Sequence, residues 1–215
     1  MPQIFPRWTN RLPLIFTVGL LTTVALIVVL VWYYFSPWFT DVGYRPHQPV
    51  AYSHKFHAGE LGLDCRYCHV GVEESSIAMI PPTKTCMNCH ILVKPESEKL
   101  AKVRESWETG IPLEWIRVHD LPDFAYFTHS PHIGAGVGCA TCHGNIAAME
   151  VVELRKPLSM KWCLDCHRNP GPHLRPVTAI TDMDWTPAAD QPQLAGGWIR
   201  DRQINPPVEC SGCHR

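Results

Sequence analysis

Residues 127–143 read Phe127-Thr128-His129-Ser130-Pro131-His132-Ile133-Gly134-Ala135-Gly136-Val137-Gly138-Cys139-Ala140-Thr141-Cys142-His143, and two features of that stretch decide the fold. Its end is C-x-x-C-H. Two thiols three residues apart reach the two vinyl groups of one porphyrin, and the histidine that follows brings an imidazole nitrogen under the iron. Its start is His129-x-x-His132. Histidines three apart share a helix face, so one short segment can ligate two neighbouring irons and fix their separation.

Both features recur. All ten cysteines fall into C-x-x-C pairs followed at once by histidine: Cys65/Cys68-His69, Cys86/Cys89-His90, Cys139/Cys142-His143, Cys163/Cys166-His167 and Cys210/Cys213-His214. Disulfide scaffolds in exported proteins are cysteine-rich, and zinc ribbons use paired C-x-x-C. Neither needs five histidines at one fixed position, so the spacing predicts five covalently attached c-type haems with the five motif histidines as proximal ligands. The histidine pair also has a copy, Tyr52-Ser53-His54-Lys55-Phe56-His57, eleven residues from His54 to Cys65 against ten from His129 to Cys139. Each half is therefore an aromatic, a hydroxyl residue, His-x-x-His and two haem motifs. A duplicated di-haem module with an appended fifth haem is the simplest account.

The rest of the composition suits that account. Twelve His, eight Trp and twenty Pro suggest loops wrapped around porphyrins rather than an aliphatic core, and a net charge of −1 gives no reason to expect nucleic acid. From Leu14 to Phe35 run twenty-two uncharged residues, long enough as a helix to span about 33 Å and so a bilayer core. Arg7 and Arg11 precede the span, and Trp32, Tyr33, Tyr34, Phe35, Trp38 and Phe39 crowd its far end. That polarity predicts a cytoplasmic N-terminus, an interfacial aromatic belt and an extracytoplasmic haem domain at the inner membrane. A cleavable signal would have a shorter apolar region ending in small residues.

The expected class is mostly α and irregular, with little β-structure. Residues 1–35 form the cytoplasmic N-terminus and anchor, 36–94 the first di-haem module, 95–118 a linker helix, 119–170 the second module, and 171–215 a Pro-rich strap with the fifth haem. The linker helix is expected from about Glu96 to Glu108, with Ser97 near its start and Gly110 as its stop. Its polar pattern suggests a solvated surface helix. Seven prolines between Arg168 and Glu209 suggest an extended strap.

Five sealed haems need five distal ligands. His54, His57, His129 and His132 are the leading candidates. His119 is the best fifth histidine, with a hydrogen bond to a propionate as its alternative; His173 in the strap could also reach a haem, and His47 reads as exposed. Met87 sits inside a haem loop and cannot swing to a distal face. Met149, Met160 and Met79 lie between motifs, where a thioether could arrive from the opposite side, although packing is the commoner task of a methionine.

The aromatic-Ser/Thr-His-x-x-His element resembles that of the small multihaem cytochromes of the cytochrome c7 and c3 group. A longer resemblance is to the pentahaem subunit (ActA) of alternative complex III. It is carried by Ser53–Cys65, by Ile80-Pro81-Pro82-Thr83-Lys84-Thr85-Cys86-Met87-Asn88-Cys89-His90, by Trp115-Ile116-Arg117-Val118-His119-Asp120-Leu121-Pro122-Asp123-Phe124, and by Met160–Pro170. That resemblance implies an electron-relaying subunit, not itself an enzyme, of a respiratory quinol-oxidising complex. It further implies iron–sulfur/molybdopterin-like, quinol-binding membrane and monohaem partner subunits, and a soluble electron acceptor or oxidase. A self-sufficient quinol dehydrogenase of the NapC/NrfH kind is the alternative; that group typically places a methionine two residues after the first motif's histidine, where Gly71 stands here. Multihaem nitrite reductases often replace one proximal histidine by lysine, whereas all five motifs here end in His.

Overall fold

The structure is a computed structural model and describes residues 4–214; residues 1–3 of the expected cytoplasmic segment and residue 215 lie outside the described residues. The chain divides into two compact units, Met1–Asp41 and Val42–Arg215.

In the first unit a 3-10 turn, Arg7–Arg11, leads into the helix α1, Leu12–Tyr34. Pro13 sits in the first turn, where a missing N–H costs nothing. None of its residues is buried, and it is the one helix among the described residues long and apolar enough to cross a bilayer, which makes it a candidate anchor. The hydroxyls of Thr17 and Thr23 donate back to the carbonyls of Pro13 and Gly19 at 2.8 and 2.9 Å, so they leave no polar group to solvate. After α1 comes a single turn, α2 (Pro37–Thr40), whose Phe39 packs on Tyr33 and Tyr34.

The second unit has no strand among its described residues, only one antiparallel bridge, Val137 to Leu174. Its helices are short and mostly built on the haem motifs: α3 Cys65–Cys68, α4 Thr83–His90, α7 Cys139–His143 and α8 Met160–Arg168, with a 3-10 turn at Cys210–Gly212. A helical turn is what brings cysteines three apart onto one face. Local caps start two of these turns: the Asp64 carboxylate accepts from the Arg66 N–H at 2.8 Å, and the Ser159 hydroxyl accepts from the Trp162 N–H at 3.4 Å.

Two expectations need correction. The linker segment forms a 3-10 turn, Glu98–Leu100, and the helix α5, Ala101–Thr109, stopped by Gly110 at φ 72°; α5 is exposed over most of its surface, as expected, but is docked along one face. Val103 and Ser106 are buried on one face, and the Ser106 hydroxyl lies 2.7 Å from that of Thr83 at the start of α4. Two small buried positions three apart were enough to seat a helix whose overall pattern is polar. The strap is not extended throughout, because α9 (Gln191–Asp201) forms within it with Pro192 in its first turn. The Gln191 amide donates to the carbonyls of Leu174 (2.7 Å) and Gly171 (3.3 Å), docking α9 on the 3-10 turn Gly171–His173.

The two histidine-pair segments interlock. The first runs into a π-helical turn, Lys55–Glu60, and the second is α6, His129–Ala135. The Lys55 N–H donates to the Met149 carbonyl at 2.9 Å, in the loop behind the third motif. Gly59 approaches the Ala147 carbonyl so closely that any Cβ would collide with it. Reciprocally, the N–H groups of His129 and Ser130 donate to Ser76 (3.3 Å) and Ser75 (3.2 Å), in the loop behind the first motif. A small cluster of Val72, Ile133 and Ile180 backs this crossing. Leu174, bridged to Val137, is fully enclosed. Truncating it should open a cavity: Leu174→Ala is expected to destabilise the haem domain by about 2–5 kcal/mol, measured by chemical denaturation followed at the Soret band.

Candidate haem-binding site

The four histidines of the duplicated pairs each face one motif histidine. Ring centroids are 6.5 Å apart for His54 and His69, 6.2 Å for His57 and His90, 6.4 Å for His129 and His143, and 6.0 Å for His132 and His167. Two imidazoles bound trans to one metal, each through a bond of about 2.0 Å, put their centroids roughly 6.3 Å apart. All four pairs fit a single intervening iron. The ring planes differ: His54/His69 and His129/His143 are near parallel at 3° and 7°, whereas His132/His167 is turned by 36° and His57/His90 by 65°.

Backbone carbonyls orient the rings. The Nδ1–H of His57 donates to Ser53 (2.9 Å) and that of His132 to Thr128 (2.7 Å), each four residues back. His69 donates to Met79 (2.6 Å), His90 to Val93 (2.9 Å), His129 to Ser76 (2.8 Å), His167 to Pro207 (2.7 Å) and His214 to Phe124 (2.9 Å). With the proton held on Nδ1, Nε2 is the free lone pair a metal needs. Burial, reinforced by His69 and His57, pushes the His54 pKa down to about 4. Burial, with His119, His129 and His69, pushes His143 down to about 3. Both rings are thus kept in the neutral form that binds metal. An aromatic wedge completes each pair: Tyr52 stacks on His57 at 4.4 Å and meets His54 edge-on at 4.8 Å, and Phe127 lies tilted against His132 at 4.6 Å and edge-on to His129 at 4.8 Å.

The remaining candidates stand apart from these pairs. His119 lies 4.2 Å from His143, at 76°, too close for one iron between them, and its buried Nε2 has no hydrogen-bond partner. Around His214 the aromatic neighbour is Phe124, at 5.8 Å, and no imidazole stands at the trans spacing among the described residues. Met149 is 6 % exposed and packs its methyl against Gly144. Met79 turns its side chain onto Gly71 while its carbonyl takes the His69 proton. Met160 is exposed in the first turn of α8, and His173 is half-buried in the strap. The orienting carbonyls of Ser76, Met79, Val93, Phe124 and Pro207 were not foreseeable, because every residue carries one.

The residues suit haem in two further respects. Among the described residues nine apolar side chains are buried, far fewer than a chain of this size needs for an aliphatic interior; bound porphyrins would fill that role. No two of the cysteines are joined in a disulfide, and among the described residues no group of three ligating side chains converges as a zinc site would require.

Comparison with known proteins agrees. Residues 125–215 match the family "Cytochrome c7 and related cytochrome c". The chain is also similar to the menaquinone reductase multiheme cytochrome c subunit of Nitratidesulfovibrio vulgaris (strain Hildenborough), 27 % identical over 193 residues that cover 89 % of this chain and 78 % of the relative. The chain is a multihaem c-type cytochrome, an electron-transport protein with covalently bound haem and a cytochrome c7-type domain.

The ring angles set a spectroscopic expectation. Parallel trans imidazoles separate the iron d orbitals and give rhombic low-spin spectra; rings turned toward perpendicular leave two of those orbitals nearly degenerate and give one large g value. Electron paramagnetic resonance of the oxidised protein should show two rhombic components, from His54/His69 and His129/His143, and a large-g component that His57→Met removes. Four identical rhombic signals would contradict the pairing.

Proposed function

We propose that this chain is a membrane-anchored pentahaem cytochrome that relays electrons within a quinol-linked oxidoreductase. The observation that carries the reading is the set of four imidazole pairs at trans spacing, strung together by neighbouring cysteines. Cys65, Cys68, Cys86, Cys89, Cys139, Cys142, Cys163, Cys166, Cys210 and Cys213 supply the thioether bonds. The proximal ligands are His69, His90, His143, His167 and His214, and the distal ligands of four centres are His54, His57, His129 and His132. The fifth centre takes its distal ligand from outside the duplicated pairs, with His119, His173 and the methionines as the candidates. Bound haem supplies a one-electron reservoir at each motif.

The cysteines also suggest an order in space. Cys68 lies within electrostatic range of Cys86, Cys65 adjoins Cys139, Cys142 lies near Cys163 and Cys166, and Cys163 lies near Cys213. The motifs therefore follow one another as Cys86–His90, Cys65–His69, Cys139–His143, Cys163–His167 and Cys210–His214. A single file gives electrons one path with two ends, which suits a subunit placed between a donor and an acceptor.

The relative named as a menaquinone reductase subunit supports a quinone-linked assembly. Within that class we favour alternative complex III, with iron–sulfur/molybdopterin-like, quinol-binding membrane and monohaem subunits as partners and a periplasmic carrier or oxidase as acceptor. On that reading α1 anchors the chain in the inner membrane, with the N-terminus cytoplasmic and the haem domain periplasmic.

Intact mass and haem staining should give five covalent haems; fewer than four would sink the relay. Purification in mild detergent should bring down iron–sulfur and polytopic subunits. A solitary protein that oxidises quinol would instead favour the self-sufficient dehydrogenase.

A further inference from the structure

Arg175 is 6 % exposed, in the strap, and lies against Gly138, the residue that caps α7 immediately before Cys139. A Cβ on Gly138 would collide with the guanidinium. Its polar partners are neutral. Nη1 donates to the Asp182 carbonyl at 2.8 Å and the Ala179 carbonyl at 3.4 Å, the Trp185 ring lies 4.6 Å from Cζ, and the buried Nε has no partner. No carboxylate among the described residues forms a salt bridge with it. The Asp182 carboxylate is within electrostatic range, but it is turned to accept from the Asp184 N–H at 3.0 Å.

A buried guanidinium stays charged, and a buried charge without a partner is costly. This one is within electrostatic range of the Cys139 sulfur, which itself adjoins Cys65. A cation there acts at the central junction of the file. A ferric haem carries one more positive charge than a ferrous one, so a fixed cation beside it disfavours the oxidised form.

We propose that Arg175 is a potential-setting residue: its buried charge, which no ion pair neutralises, raises the reduction potential of the centre at Cys139–His143 and, less strongly, of its neighbour at Cys65–His69. The proposal rests on the haem reading above. It implies that the middle of the file is held more oxidising than bis-histidine ligation alone would make it, so that electrons are not stranded at the outer centres.

The test is a spectroelectrochemical titration of the full-length, haem-loaded protein. Arg175→Met should shift one resolved component about tenfold toward the oxidised form at fixed potential, about 59 mV lower for a one-electron couple, with a smaller shift of the same sign in a second component. Arg175→Lys, which keeps the charge, should shift it less than threefold. Asp182→Asn, which removes the nearest opposing charge and keeps an oxygen for the Asp184 N–H, should move the same component the other way. Unmoved potentials in Arg175→Met, or equal shifts in Arg175→Met and Arg175→Lys, would overturn the proposal. If Arg175→Met fails to accumulate, an Asp182→Asn titration identical to the parent overturns it alone. Haem counts on the same samples separate the two readings, because a low count in the parent protein overturns the haem assignment itself.

Discussion

An imidazole offers Nε2 to a metal only when the proton sits on Nδ1, and in this chain a backbone carbonyl holds that proton for seven histidines. Much of the fold follows from putting those carbonyls in place. The loops behind the motifs have little regular structure, and they lie where they must to accept these bonds: Met79 and Val93 return to their own motif histidines, and Pro207 and Phe124 come from distant segments to His167 and His214. Loops with so few buried apolar contacts would wander without that requirement. The motif helices, by contrast, are short turns around a C-x-x-C-H, two of them started by a local cap.

The duplication gains its rigidity from exchange between the halves. His129 of the second half gives its Nδ1–H to Ser76 of the first, and Lys55 of the first half is bonded to Met149 of the second. The second half cannot orient His129 alone, because the carbonyl that takes its proton belongs to the first. The copies differ at the wedge, where Tyr52 stands in one and Phe127 in the other. Burial pushes the Tyr52 phenol pKa up, so it remains a neutral dipole.

The motifs, and the facing of each duplicated histidine on one motif histidine, were legible because haem attachment and ligation would demand fixed spacings of residue types that are rare elsewhere. The apolar run of α1 was legible for the same reason, a physical length written in composition. What escaped was set by tertiary contact. The docked face of α5 was missed because Val103 and Ser106 are too few to shape its pattern, and α9 was hidden in a proline-rich segment because Pro192 falls in the first turn, where a helix tolerates it. Arg175 had no local signal at all: its significance comes from Gly138, thirty-seven residues away, which leaves room for its guanidinium beside Cys139.

On the proposed order, the two halves meet through their first motifs, at Cys65 and Cys139, and their second motifs point outward. A four-centre array built in that way has equivalent ends and no preferred direction. Two departures from the repeat remove the equivalence. The fifth motif adjoins the outer end of the second half alone, through Cys163 and Cys213. The strap that carries it passes the central junction on the way, where the Cys139 N–H donates to Ile180 at 2.9 Å and the Thr181 hydroxyl donates to the Asp64 carboxylate at 3.2 Å. One appended segment thus extends the file at one end and places a cation at its middle. Direction in this chain is a property of the part that was not duplicated.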